Sequence, residues 1–71
     1  MNEDLKGANL TEANLQHPSL AWADLNRANL YKANLTEADL KYAGLYKANL
    51  DGVIGVNFTG AFNVSPKYLK A

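Results

Sequence analysis

The chain has no cysteine, one histidine (His17) and no net charge over its 71 residues. Without cysteine there is no disulfide and no thiolate metal site, and the redox compartment stays open. A lone histidine makes a poor ligand set, so no metal and no cofactor is expected. Seven basic residues against seven acidic ones remove the usual argument for nucleic acid, an anionic membrane or DNA mimicry. No hydrophobic run is long enough to span a bilayer, and the polar start MNEDLKG does not read as a signal peptide. The expected location is the cytoplasm, although a processed precursor would look the same. At this length one domain is the limit, near the size where a single core is marginal.

The charges cancel unevenly. Met1 to Asp24 holds four acids against Lys6, a local −3, while Leu25 to Leu50 has four bases against Glu37 and Asp39, or +2.

What is present is a period. Leu5, Leu10, Leu15, Leu20, Leu25, Leu30, Leu35, Leu40, Leu45 and Leu50 form an unbroken series of ten. Alanine stands two residues earlier in eight of the ten, Glu3 and Pro18 being the exceptions. Asn or Asp lies between them in eight, with Ser19 and Gly44 departing. A helix cannot use this spacing, because leucines five apart rotate by about 140° and make no stripe. A flat strand cannot either, since a step of five flips the side chain each time. Ala and Leu two apart do share a face in an extended segment. A chain that runs extended for a few residues and then turns a corner of constant hand keeps every such pair inside, which describes a solenoid.

Tandem A-(N/D)-L-x-x units over Glu3 to Gly52, with a weaker echo to Gly60, resemble the pentapeptide-repeat proteins. The resemblance implies an all-β fold, a right-handed quadrilateral β-helix with four repeats to a coil. Leu and Ala point inward there and the other positions outward. The chain would then make about three coils, and residues n and n+20 would stack. Leu5, Leu25 and Leu45 fall in line, as do Leu10, Leu30 and Leu50. Outside, Glu12 lies under Lys32 and His17 under Glu37, sensible cross-strand neighbours. Arg27 under Lys47 goes against that trend. Asn9, Asn29 and Asn49 make a column suited to amide laddering.

The register breaks after Leu50. Gly55 and Gly60 take the expected leucine sites, and V-N-F-T-G, Val56 to Gly60, reads as a displaced unit centred on Phe58. Ser65-Pro66 is a helix start signal. The expected division is residues 1–64 as β-helix and 65–71 as a short C-terminal capping helix, with Phe62, Tyr68 and Leu69 laid over the last coil. Only Met1 offers to cover the first layer of leucines, and an uncapped solenoid end exposes apolar surface and unpaired backbone. That end predicts a homodimer; a longer natural chain or a docking polypeptide would serve the same purpose.

Catalysis finds little support. His17 sits in an outward position beside Pro18, where a solvated surface histidine is the ordinary reading. Asp24 and Asp39 occupy the unit's second position, suited to local backbone bonds at the corners. Gly52, Gly55 and Gly60 read as turns rather than a phosphate cradle. Tyr31, Tyr42 and Tyr46 with Arg27, Lys32, Lys41 and Lys47 are spread over different faces, which disfavours single-stranded nucleic acid.

Trp22 and Tyr42 share one outward position a coil apart, and Phe62 extends that column if the break preserves stacking. Such aromatics dominate binding hot spots, which makes Trp22, Tyr42 and Phe62 a candidate docking patch. The sequence therefore reads as a non-enzymatic protein–protein interaction or scaffold module. Some members of the resembled family bind DNA gyrase as mimics of B-DNA, but those are longer and strongly acidic on one face. An accessory domain of a larger protein is the third reading. Many such proteins are bacterial, notably cyanobacterial, so a bacterial origin is what the resemblance implies.

Overall fold

A computed structural model describes residues 3–69 of the chain. Its unit is a corner. In eight of the ten units the leucine carbonyl accepts the N–H of the alanine three residues on, as in Leu5 and Ala8 at 3.0 Å and Leu45 and Ala48 at 3.1 Å. The residue just before that alanine sits at positive φ. Glu12, His17, Trp22, Arg27, Lys32, Glu37, Tyr42 and Lys47 lie between 58° and 69°. Positive φ at the third residue alone is the signature of a type II turn.

Non-glycine residues resist this conformation by roughly 1–2 kcal/mol each, so something must hold them there. The Asn or Asp preceding each leucine does part of it. The Oδ1 atoms of Asp4, Asn9, Asn14, Asp24, Asn29, Asn34, Asp39 and Asn49 each accept the backbone N–H two residues on, at 3.0–3.2 Å. These short polar side chains mimic a backbone turn. The same geometry corrects the expected asparagine ladder. Among the described residues no hydrogen bond joins the amides of Asn9, Asn29 and Asn49, because each oxygen is turned to its own corner.

Successive layers pair in parallel. Bridges join Asp4 to Asp24, Asn9 to Asn29, Asn14 to Asn34, Ser19 to Asp39, Asp24 to Gly44, Asn29 to Asn49 and Asn34 to Ile54. Every one of these spans twenty residues, and the result is a β-helix-like stack built from single bridges rather than a continuous sheet. Pro18 is the flaw in the corner series. It has no N–H to give Leu15, although its carbonyl still accepts Asp39 N–H at 3.2 Å.

The alanine and leucine columns fill the interior. Leu20, Leu25, Leu30, Leu35, Leu40, Leu45 and Leu50 are buried, and so are the alanines from Ala23 to Ala48. Leu5, Leu10 and Leu15 are only partly buried beneath them; Val53, Val56, Phe58, Val64 and Tyr68 pack on the rest.

The break costs two residues of register. Gly44 pairs with Phe62, eighteen positions on rather than twenty. Phe58 takes the leucine place: its carbonyl accepts Ala61 N–H at 2.9 Å, and Asn57 Oδ1 accepts Thr59 N–H at 2.9 Å. Gly55 is required here, since it turns at φ 67° and a Cβ would collide with Thr36.

The expected C-terminal helix is a single 3-10 turn, Pro66–Tyr68. Ser65 precedes it without a side-chain cap bond. Phe62 and Leu69 are exposed, not laid over the coil, because the two-residue loss sends Phe62 outward above Gly44. Tyr68 alone packs on the core. Its hydroxyl accepts Leu50 N–H at 3.1 Å and donates to Asp51 Oδ1 at 2.9 Å. The Asp51 carboxylate, with the Tyr68 phenol second, holds the Lys67 ammonium above the usual lysine pKa. Met1, expected over the first layer of leucines, and the end of the 65–71 segment at Lys70 and Ala71 lie outside the described residues.

Candidate functional site

The positive-φ corner position throws its side chain away from the stack, and one such corner carries aromatics in successive layers. Trp22 and Tyr42 are anchored by their own backbone, Trp22 N–H to Lys41 O at 3.0 Å and Tyr42 N–H to Gly60 O at 2.8 Å. Their ring centroids lie 4.4 Å apart at 29°, a stacked pair. The separation is close to the roughly 4.8 Å between paired strands. Phe62 reaches the same column from a different position, 5.9 Å from Tyr42 and tilted by 42°. All three rings stay open to solvent, at 52% for Trp22, 41% for Tyr42 and 50% for Phe62.

Beside the column lies an open groove of about 320 Å³, lined by Gly44, Trp22, Tyr42 and Phe62, with Asp24, Asn26 and Asn63 supplying polar groups. Gly44 lines it without a side chain. Gly44 has no Oδ1 to accept Tyr46 N–H, and Asn26 supplies one from the layer below at 2.9 Å. A Cβ at Gly44 would meet that oxygen at 3.0 Å. Asp24, directly under Gly44 in the bridge series, spends Oδ1 on Asn26 N–H.

At the next corner two cations lie near the Tyr46 ring, the Arg27 guanidinium carbon 5.9 Å and the Lys47 Nζ 5.5 Å from its centre. Both cations fall within the range of cation–π attraction to this ring, which offsets part of the like-charge stacking of Arg27 under Lys47. Tyr31 stands elsewhere, exposed, with Lys32 Nζ 5.3 Å from its ring.

The remaining residues singled out in the sequence do not converge. His17 Nδ1 lies 2.8 Å from Glu37 Oε1, both side chains well exposed. Asp39 Oδ1 accepts Lys41 N–H. Among the described residues no three of His, Cys, Asp and Glu come together as a metal site, and no helix is long and apolar enough to cross a membrane. Sequence reasoning missed the groove. Gly44 was visible as a departure from the Asn/Asp column, but its compensation by Asn26 depends on the stack.

Fold and site together define a repeat solenoid with an exposed aromatic column. The pentapeptide-repeat family model matches residues 19–54 with eight copies, and the chain belongs to the pentapeptide-repeat family. A comparison with curated proteins returns no match.

Proposed function

We propose that the chain is a non-catalytic interaction or scaffold module. Its body is a right-handed, four-sided β-helix of about three coils, closed at one end by the Pro66–Tyr68 segment. It meets a partner protein through Trp22, Tyr42 and Phe62. The observation that carries this reading is the exposure of three large rings in one column beside a groove. A purely structural stack would gain by hiding those rings, and contiguous exposed aromatics on a small protein mark interaction sites. Membership of a repeat family supports a rigid, non-catalytic surface. The test is the Trp22→Ala/Tyr42→Ala variant: it should keep its fold by circular dichroism and lose partner capture from lysate. Unchanged capture refutes the patch.

A second copy as partner is favoured by a different observation. Among the described residues the N–H groups of Asn9, Asn14 and Ser19 have no hydrogen-bond acceptor, and Leu5, Leu10 and Leu15 are incompletely buried. Unpaired edges of this kind template association. Light scattering should then give a dimer that tightens with salt, as screening relieves the acidic first coil. A monomer at every salt concentration rejects it.

A further inference from the structure

We infer that the N-terminal end of the stack pairs with the same end of a second copy about a two-fold axis through Asn9, setting Lys6 of each copy against Glu12 of the other. This rests on the second reading above, in which the partner is another copy of this chain, and fixes how the two copies meet.

Three observations carry it. The first is the direction of the edge groups. Asn29 N–H donates to Ala8 O, and Asn29 O accepts Leu10 N–H, so a bridging residue turns both groups toward the layer beneath. Asn34 does the same with Ala13 and Leu15. Asn9 and Asn14 hold the same places one layer down, and their N–H and C=O groups therefore face the open end. A two-fold axis lying across that end reverses the sense of circulation, so facing strands run antiparallel. In an antiparallel ladder two opposed residues of this orientation exchange both hydrogen bonds.

The second is which leucines lack cover. Leu20 is buried, whereas Leu5, Leu10 and Leu15 are only partly so. The surface that gains from a cover spans the strands of Asp4, Asn9 and Asn14, and Asn9 is its centre. With the axis there, Leu5 meets Ala13 and Leu10 meets Ala8 of the second copy, large against small. Leu15 meets Glu3, the one poor match.

The third is charge. The same axis puts position 6 across from 12 and position 4 across from 14. Lys6 and Glu12 form no ion pair among the described residues, and their contact occurs twice in the dimer. Asp4 meets the neutral Asn14. An axis through Asn14 leaves by the opposite face and sets Asp4 against Asp4, while one through the Glu12 corner sets Glu12 against Glu12. Like charges so juxtaposed select against both alternatives.

The test combines light scattering with oxidation, in a chain that has no cysteine of its own. Asn9→Cys should form a disulfide-linked dimer, because opposed residues that exchange both bonds stand about 5.5 Å apart at Cα, within disulfide reach. Asn14→Cys should not. Ser19 already fills this place in its own unit, so a short side chain is tolerated there. Glu12→Lys should weaken the dimer by about tenfold, although it makes the end less acidic and would tighten a dimer opposed by net charge alone. Lys32 and Lys47 hold the same corner position at φ 58°, so the corner accepts the change. Mixing Glu12→Lys with Lys6→Glu should restore dimerisation, since both contacts again join opposite charges. A dimer that Asn14→Cys links as readily as Asn9→Cys, or that Glu12→Lys tightens, overturns this register and leaves the second-copy reading standing. A monomer at every concentration and salt overturns both.

Discussion

Asn26 Oδ1 accepts the backbone N–H of Tyr46 at 2.9 Å, twenty residues away, where every intact unit would use its own Asn or Asp. Gly44 is thus tolerated because the layer beneath completes its corner, and Gly44 and Asn26 both line the groove. The two positions should be coupled. Asn26→Ala should cost about 0.5–1.5 kcal/mol, the worth of a hydrogen bond. Gly44→Asn alone should destabilise, as its Cβ crowds Asn26, yet in the Asn26→Ala background it should recover stability by restoring a local acceptor. Denaturant titration of the four-member cycle checks this, and additive effects would contradict it.

Tyr68 serves as a substitute for the next layer. The N–H of Leu25 finds Gly44 O, that of Leu30 finds Asn49 O, and that of Leu50 finds the Tyr68 hydroxyl. Tyr68→Phe should remove about 0.5–1.5 kcal/mol and, in a domain of this size, lower Tm by several degrees. Amide exchange at Leu50 should quicken while that at Leu30 lags behind. Unaltered protection of Leu50 would show that the hydroxyl does not close the ladder.

The core is graded along the stack. Leu30 is fully buried, whereas Leu5 lies in the partly covered first layer. Leu30→Ala should cost about 2–5 kcal/mol by transfer and cavity together, and Leu5→Ala markedly less. Urea midpoints of the two variants measure the difference. Equal losses would mean that the first layer is as well covered as the second.

Pro18 carries the opposite sign. It breaks the corner bond to Leu15, and it follows His17 at φ 68°, a conformation that proline's neighbour resists. Pro18→Ala restores a donor and should raise Tm by a few degrees. A fall would show that the ring's restriction of the unfolded chain outweighs the missing bond.

Much of this architecture was legible before any coordinates. A strict five-residue leucine series admits neither helix nor flat strand, and the n to n+20 pairing of His17 with Glu37 appears in the structure at 2.8 Å. Phe58 was readable as the displaced centre because V-N-F-T-G keeps the unit's own pattern. The positive φ at eight non-glycine corner residues was not legible, since Glu, Lys and Trp carry no mark of it; the neighbouring layers and Asx bonds impose it. Nor was the register of Phe62. It stands twenty residues from Tyr42 yet pairs with Gly44, so the column survives by a lean of the ring rather than by stacking of the backbone. The groove depends on both Gly44 and Asn26, and a sequence shows each only as an isolated exception.

The central claim is that the Trp22–Tyr42–Phe62 column is a contact surface and not a self-contained stack. The most direct test is site-specific photo-crosslinking in cells, with the reactive side chain placed at position 42 and, as control, at the equally exposed position 31. The account predicts one discrete adduct from position 42 and none from position 31. No adduct at 42, or the same adducts at both positions, would contradict it.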